Sequence, residues 1–177
     1  FNLLREVVQF AAQKESFIRI DMEDSQCVDM ELDIFRRLRK EFPKHVGLVL
    51  QAYLRRTESD LIALNDLNSS NYPISFRLCK GIYVEPENIA FKEYDEVRHH
   101  FLTDLKYMFE NKMYVGIATH DKFLVEKSMK MIGEMNIPDD MYEFQMLYGV
   151  TPELRQMIVD NGHKMRVYVP FGEKWFN

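Results

Sequence analysis

Cysteine is scarce: Cys27 and Cys79 are the only two in 177 residues, and their unlike surroundings suggest no disulfide framework of the kind small secreted domains rely on. A reducing, intracellular compartment is expected. Positive charge is also in short supply, with 23 basic against 28 acidic residues and a net charge of -5, so no global field attracts nucleic acid or an anionic membrane. No apolar run approaches the roughly 20 residues that span a bilayer, and no basic start precedes an apolar signal core. No transmembrane segment is therefore expected. Proline- or glycine-rich linkers and low-complexity tracts are missing, so nothing marks a domain boundary. With 46% hydrophobic residues, this length suits a single domain over residues 1–177.

What the chain does contain is alternation. Short runs of β-branched and apolar residues at 17–20, 46–50, 74–78, 114–118, 142–146 and 165–169 predict buried strands. Between them apolar residues fall at helical spacing: Phe1, Leu4, Val8 and Ala11, then Leu32, Phe35 and Leu38, then Phe101, Leu105 and Met108. Such βα alternation predicts a parallel sheet covered by helices. Almost every strand ends in polar chemistry, which favours a barrel, whose sites collect at many strand ends, over an open doubly wound sheet with one switch point. A closed (βα)8 barrel takes about 250 residues, so six βα units of an incomplete TIM-type barrel are expected.

The densest chemistry is Ile-Ser-Phe-Arg-Leu-Cys-Lys-Gly-Ile-Tyr at 74–83. Strand alternation buries Phe76 and Leu78 and sends Arg77 to the opposite face, toward the barrel axis, where it needs a partner. Asp21 is available, as a plain ion pair or as part of a site. The glycine after Lys80 lets backbone approach a ligand closely, and the cations suit something anionic and flat. Asp24 or Ser25 is predicted to cap the helix from Cys27. Arg55 and Arg56 read as solvated residues at a helix start. Gln51, an amide that both donates and accepts, is a structural cap or a contact to a heteroatom ring. Thr119 and His120 end a strand, and Gln145, Tyr148 and Tyr168 complete the set. Asp21, Glu23 and His120 form a minor metal alternative, but the spaced His and Cys of a zinc site are lacking, and no metal is expected.

Taken in order, six motifs resemble the proline dehydrogenase family, in particular its bacterial monofunctional branch. They are Phe-Ile-Arg-Ile-Asp-Met-Glu-Asp-Ser at 17–25, Val-Leu-Gln-Ala-Tyr-Leu-Arg-Arg-Thr at 49–57, Arg-Leu-Cys-Lys-Gly-Ile-Tyr at 77–83, Ile-Ala-Thr-His-Asp at 117–121, Glu-Phe-Gln-Met-Leu-Tyr-Gly at 143–149 and Arg-Val-Tyr-Val-Pro-Phe-Gly at 166–172. The resemblance implies FAD-dependent oxidation of L-proline to Δ1-pyrroline-5-carboxylate by hydride transfer to flavin N5, the first step of proline catabolism. It implies Asp21 and Arg77 as the catalytic pair. FAD contacts would come from Met22, Gln51, Arg77, Lys80, Gly81, Ile82, Thr119 and His120. Leu78, Tyr83 and Tyr168 would form the substrate pocket, and a tyrosine at 168 points to proline rather than hydroxyproline. A quinone-type electron acceptor is implied, with pyrroline-5-carboxylate dehydrogenase as a further partner. So is a cytoplasmic location with peripheral contact at the inner face of the membrane.

Two departures stand out. Ile82 replaces the family's usual alanine, and Cys79 its common valine. The family also carries a lysine-bearing strand before Phe1 and a helix with paired arginines after Asn177, so the first two strands and final helix of the barrel are expected to lie outside this chain. The competing readings are a noncatalytic or weakly active barrel fragment and a Schiff-base aldolase barrel using Lys80.

Overall fold

The computed structural model describes residues 1–170 and residue 172. Along these the elements alternate as the hydrophobic pattern predicts: α1 (Asn2–Gln13), β1 (Ile18–Ile20), α2 (Val28–Glu41), β2 (Val46–Gln51), α3 (Thr57–Leu64) with a 3-10 turn (Asn65–Leu67), β3 (Ser75–Cys79), α4 (Tyr94–Glu110), β4 (Tyr114–Ala118), α5 (Lys122–Glu134), β5 (Tyr142–Leu147), α6 (Pro152–Asp160) and β6 (Met165–Tyr168). Local chemistry explains several ends. α2 begins with Asp29 and Glu31 and finishes with Arg39 and Lys40, the order that its dipole favours. α5 is capped by Asp121, whose carboxylate accepts from the Phe123 amide at 3.1 Å, and α6 starts with Pro152.

The predicted cap of α2 is not formed. Cys27 occupies the N-cap position without a side-chain bond. Asp24 turns back on the Gln26 amide at 3.1 Å, and Ser25 is claimed by Glu85, to which its amide and hydroxyl donate at 2.7 and 2.8 Å. A buried carboxylate on another loop outcompetes the helix end for the serine.

Sheet order is β1-β2-β3-β4-β5-β6, each neighbour parallel. Crossovers between parallel neighbours follow the right-handed rule, which puts the connecting helices α2 to α6 on one side of the sheet, and no reversal of order occurs as it would in a doubly wound sheet. The result is the curled half of a TIM-type barrel. Its helix-facing layer is apolar: Leu48, Phe76, Leu78, Val115, Ile117 and Phe144 are completely buried, worth about 1.5–3 kcal/mol each. The inner layer is polar. Registered pairs run Val49 to Arg77, Gln51 to Cys79, Arg77 to Gly116, Ala118 to Gln145 and Gln145 to Arg166. The period of two that fills the core thus lines the concave face with charged and amide groups.

Candidate active site

A cavity of about 760 Å³ opens at the C-terminal ends of the strands, lined among others by Asp21, Gln51, Arg77, Lys80, His120 and Tyr168. This is the end at which barrel enzymes assemble their chemistry. At its centre Arg77, on the inner face of β3, is held from two directions. Its Nη1 donates to Oδ1 of Asp21 at 2.7 Å, and its Nε to Oε1 of Gln145 at 2.6 Å. Asp21 is well exposed at the rim, with 64% of its side-chain surface accessible, so the pair is a rim contact rather than a core ion pair. The rest of the guanidinium remains available to the cavity.

Gln145 is itself fixed. Its Nε2 donates to Glu143 at 2.7 Å, and Glu143 takes a bidentate contact from Arg166 at 2.5 and 2.9 Å. Burial pushes the Glu143 carboxyl up, but bonds from Arg166 and Gln145 outweigh it and hold the group below the ordinary carboxylate value. Arg19, deep under the same face, is brought down to about 10 by burial and by the neighbouring Arg77.

The cavity's other wall is built by the loops after β3 and β4. Gly81 has φ +111°, and a Cβ there would overlap the ring of Tyr53. The glycine is required by its packing against Tyr53 and by its backbone conformation, a tighter reason than the ligand approach expected from sequence. Lys80 stands 3.5 Å from Asp121 and 4.6 Å from the centre of the Tyr94 ring. Asp121 also receives Tyr94 Oη at 2.6 Å and Arg98 at 2.9 and 3.0 Å. Burial alone would raise this carboxyl; Arg98, Tyr94 and Lys80 hold it far below the usual range.

Thr119 is buried and its Oγ1 accepts from the Asp121 amide at 3.1 Å. His120 Nε2 accepts from the Leu147 amide at 2.9 Å. Burial, followed by the nearby Lys80, lowers its pKa; the neutral ring therefore carries its proton on Nδ1. Gln51 is buried and spends its amide nitrogen on the carbonyls of Met22 and Glu23, at 3.3 and 2.7 Å, fixing the loop after β1. Met22 is buried beside it, and Ile82, Tyr83 and Tyr168 are exposed at the cavity edge. Tyr83 donates its hydroxyl to Glu23.

Of the residues predicted for this site, all but Tyr148 and Leu78 line the cavity, and Tyr148 is exposed outside it. Leu78 is the correction: it is completely buried on the helix-facing side, and Cys79 occupies the wall instead. Strand alternation cannot place both Arg77 and Leu78 on the inner face. Arg55 leans on the Phe91 ring and Arg56 pairs with Asp29 and Asp60, away from the site. Both cysteines are free, and burial raises the Cys79 thiol to about 11. Among the described residues no three His, Cys, Asp or Glu side chains are placed to hold a metal. Asp21, Glu23 and His120 are engaged by Arg77, Tyr83 and the Leu147 amide respectively. No described helix is long and apolar enough to cross a membrane. Phe171, in the last motif, and residues 173–177 lie outside the described residues.

Sequence reasoning did not find the roles of Glu143, Gly116, Tyr94 and Arg98. The available signal was a pair of polar residues, Glu143 and Gln145, two apart on one strand and so on one face.

The proline dehydrogenase family model matches residues 3–174. Proline dehydrogenase 2 of Bacillus subtilis strain 168 is 38% identical over 99% of this chain and 56% of its own length. Proline dehydrogenase of Deinococcus radiodurans is 34% identical over 97% of this chain and 54% of its length. The chain thus spans about half the length of these relatives. Among solved structures, proline utilization A (PutA) from Bdellovibrio bacteriovorus, inactivated by N-propargylglycine, has a TM-score of 0.90 at 31% identity, over 97% of this chain and 20% of that one.

Proposed function

Because the chain belongs to the proline dehydrogenase family, we propose that the protein it comes from oxidises L-proline to Δ1-pyrroline-5-carboxylate with a bound FAD, using the cavity at the strand ends. The observation that carries this reading is Arg77, a guanidinium tied to Asp21 and Gln145 among the residues that line that cavity. The donor set fits a flavin. Lys80 and the backbone around Gly81 offer a cationic, donor-rich wall for phosphate. His120 offers a neutral Nδ1–H, and Ile82 adds an apolar edge for a flat ring. When bound, the flavin supplies the hydride acceptor.

The protein's own share is binding and electrostatics. As hydride leaves the ring carbon beside proline's nitrogen, the nitrogen lone pair forms the C=N bond and the acceptor gains negative charge, which Arg77 would stabilise with a fixed positive charge. Asp21 pairs with that guanidinium at the rim and balances its charge. Tyr83 and Tyr168 wall the substrate, and Gln51 and Met22 keep the β1 loop in place. Electrons leave to a quinone-type acceptor from a cytoplasmic protein that touches the membrane peripherally, and the product passes to pyrroline-5-carboxylate dehydrogenase. The aldolase alternative is disfavoured because Lys80 is tied to Asp121 and Tyr94 rather than standing free as a nucleophile.

The test is anaerobic addition of L-proline to the flavin-loaded protein. Bleaching of the flavin band is expected, and Arg77→Met should slow it at least ~100-fold while leaving the fold intact. No bleaching overturns the proline reading, and bleaching at the parent rate in Arg77→Met removes Arg77 from the mechanism.

A further inference from the structure

Across the concave face of the sheet runs an unbroken hydrogen-bonded line: Asp21, Arg77, Gln145, Glu143, Arg166. The two partners of Arg77 in it differ in stiffness. Asp21 is largely exposed, and a rim ion pair is weak and screened. Gln145 is 6% exposed, so its bond to the guanidinium competes little with water. Rigidity for Arg77 therefore comes from the amide, on β5, rather than from the carboxylate.

Two neighbours make the amide fit for that task. Glu143 can only accept and Arg77 can only donate, so the amide has one satisfied orientation, with Oε1 toward Arg77 and Nε2 toward Glu143. A flipped amide would set donor against donor and acceptor against acceptor. Gly116, on β4, supplies the room: a Cβ there would overlap Nε2 of Gln145 and lie 2.8 Å from its Cδ. The displaced group would be the far end of a flexible side chain, so a methyl at 116 moves the amide at little cost to the fold.

We propose that Gln145 is the positioning residue of Arg77, oriented by Glu143 and seated by Gly116. The proposal rests on the functional reading of Arg77 given above. It adds that the geometry of the guanidinium is set two strands away, and that a glycine touching neither substrate nor cofactor is needed for it.

The test begins on the flavin-free protein, where the Nε–H of Arg77 is followed by nitrogen-15 NMR and assigned by its loss in Arg77→Met. In the parent it should exchange slowly with solvent. Gln145→Ala and Gly116→Ala should each speed that exchange about tenfold. In the Gln145→Ala background, Gly116→Ala should add nothing, because the atoms it displaces are gone. Gln145→Met, close in volume, replaces Gln145→Ala if that variant does not fold. In the flavin-loaded protein the same variants should lower the rate of proline-driven reduction ~10- to 100-fold with a smaller change in KM. An Arg77 proton that stays protected in Gly116→Ala, or an equal increment from Gly116→Ala in both backgrounds, overturns the proposal. Parent-rate reduction in Arg77→Met overturns the functional reading instead, and leaves the NMR result to stand on its own.

Discussion

Lys80 Nζ stands 3.5 Å from Oδ2 of Asp121, so the loop after β3 is tied to the carboxylate that caps α5 on the next strand's loop. One buried acid thereby joins three jobs: it starts a helix, it pairs Arg98 and Tyr94 on α4, and it steadies the cation at the cavity wall. Positions that seem unrelated along the chain are consequently coupled.

Asp121→Asn keeps a capping oxygen but strips two cations of their counter-charge. A loss of about 3 kcal/mol is expected, with weaker flavin binding, read by denaturant midpoint and by flavin titration. The pH dependence has a definite sign. The folded carboxyl sits below its unfolded value of 3.8, so its contribution is present above about pH 4 and is lost as pH falls further. Asp121→Asn should flatten that acid-side loss. A mutant curve parallel to the parent's between pH 3 and 6 would contradict the assignment.

Asp104 behaves in the opposite sense. It lies on α4, 1% exposed, with neither carboxylate oxygen hydrogen-bonded, and burial followed by Glu58 raises it to about 7. The unfolded chain ionises first, so stability is fully present below about pH 4 and declines until pH passes 7. Asp104→Asn should equal the parent at pH 4 and exceed it by roughly 2 kcal/mol at pH 8. Denaturant midpoints at the two pH values decide it; equal gains at both would show that ionisation is not the cause.

Gly81→Ala forces a side chain into the left-handed region and into the Tyr53 ring. About 2–3 kcal/mol of stability should be lost. Tyr53→Ala in the same chain removes the overlap but not the backbone strain, so only part of the Gly81→Ala penalty should remain in that background. A double-mutant cycle with no coupling would refute the contact.

Ile82 is 83% exposed. Ile82→Ala should change stability by less than about 0.5 kcal/mol. Any effect should appear in flavin affinity, and a large shift in melting temperature would show that the side chain is packed.

The strands and their order were legible because a parallel sheet covered by helices demands apolar runs at regular intervals, and the six runs here match the six strands to within two residues. The Arg77 to Asp21 pair was legible too, from the period of two. Alternation also argued that Leu78 faces the helices, and family correspondence alone had assigned it to the pocket. The cap of α2 was misread because the competitor for Ser25 is Glu85, sixty residues on. Tyr94 and Arg98 look like an ordinary solvated helix face until α4 is laid beside the loop of Asp121. Gly116 carries no signal by itself, since its meaning lies in a side chain on another strand.

Among the described residues each strand is bonded only to its neighbours in sequence. Each pairing therefore closes a loop of similar, modest length, and the entropic cost grows only slowly with that length. Among the described residues no strand pairs with one distant in sequence, so these contacts stay relatively local for an α/β architecture. A nascent chain can add one βα step at a time as it leaves the ribosome, the polar concave face staying hydrated while the apolar face is covered helix by helix.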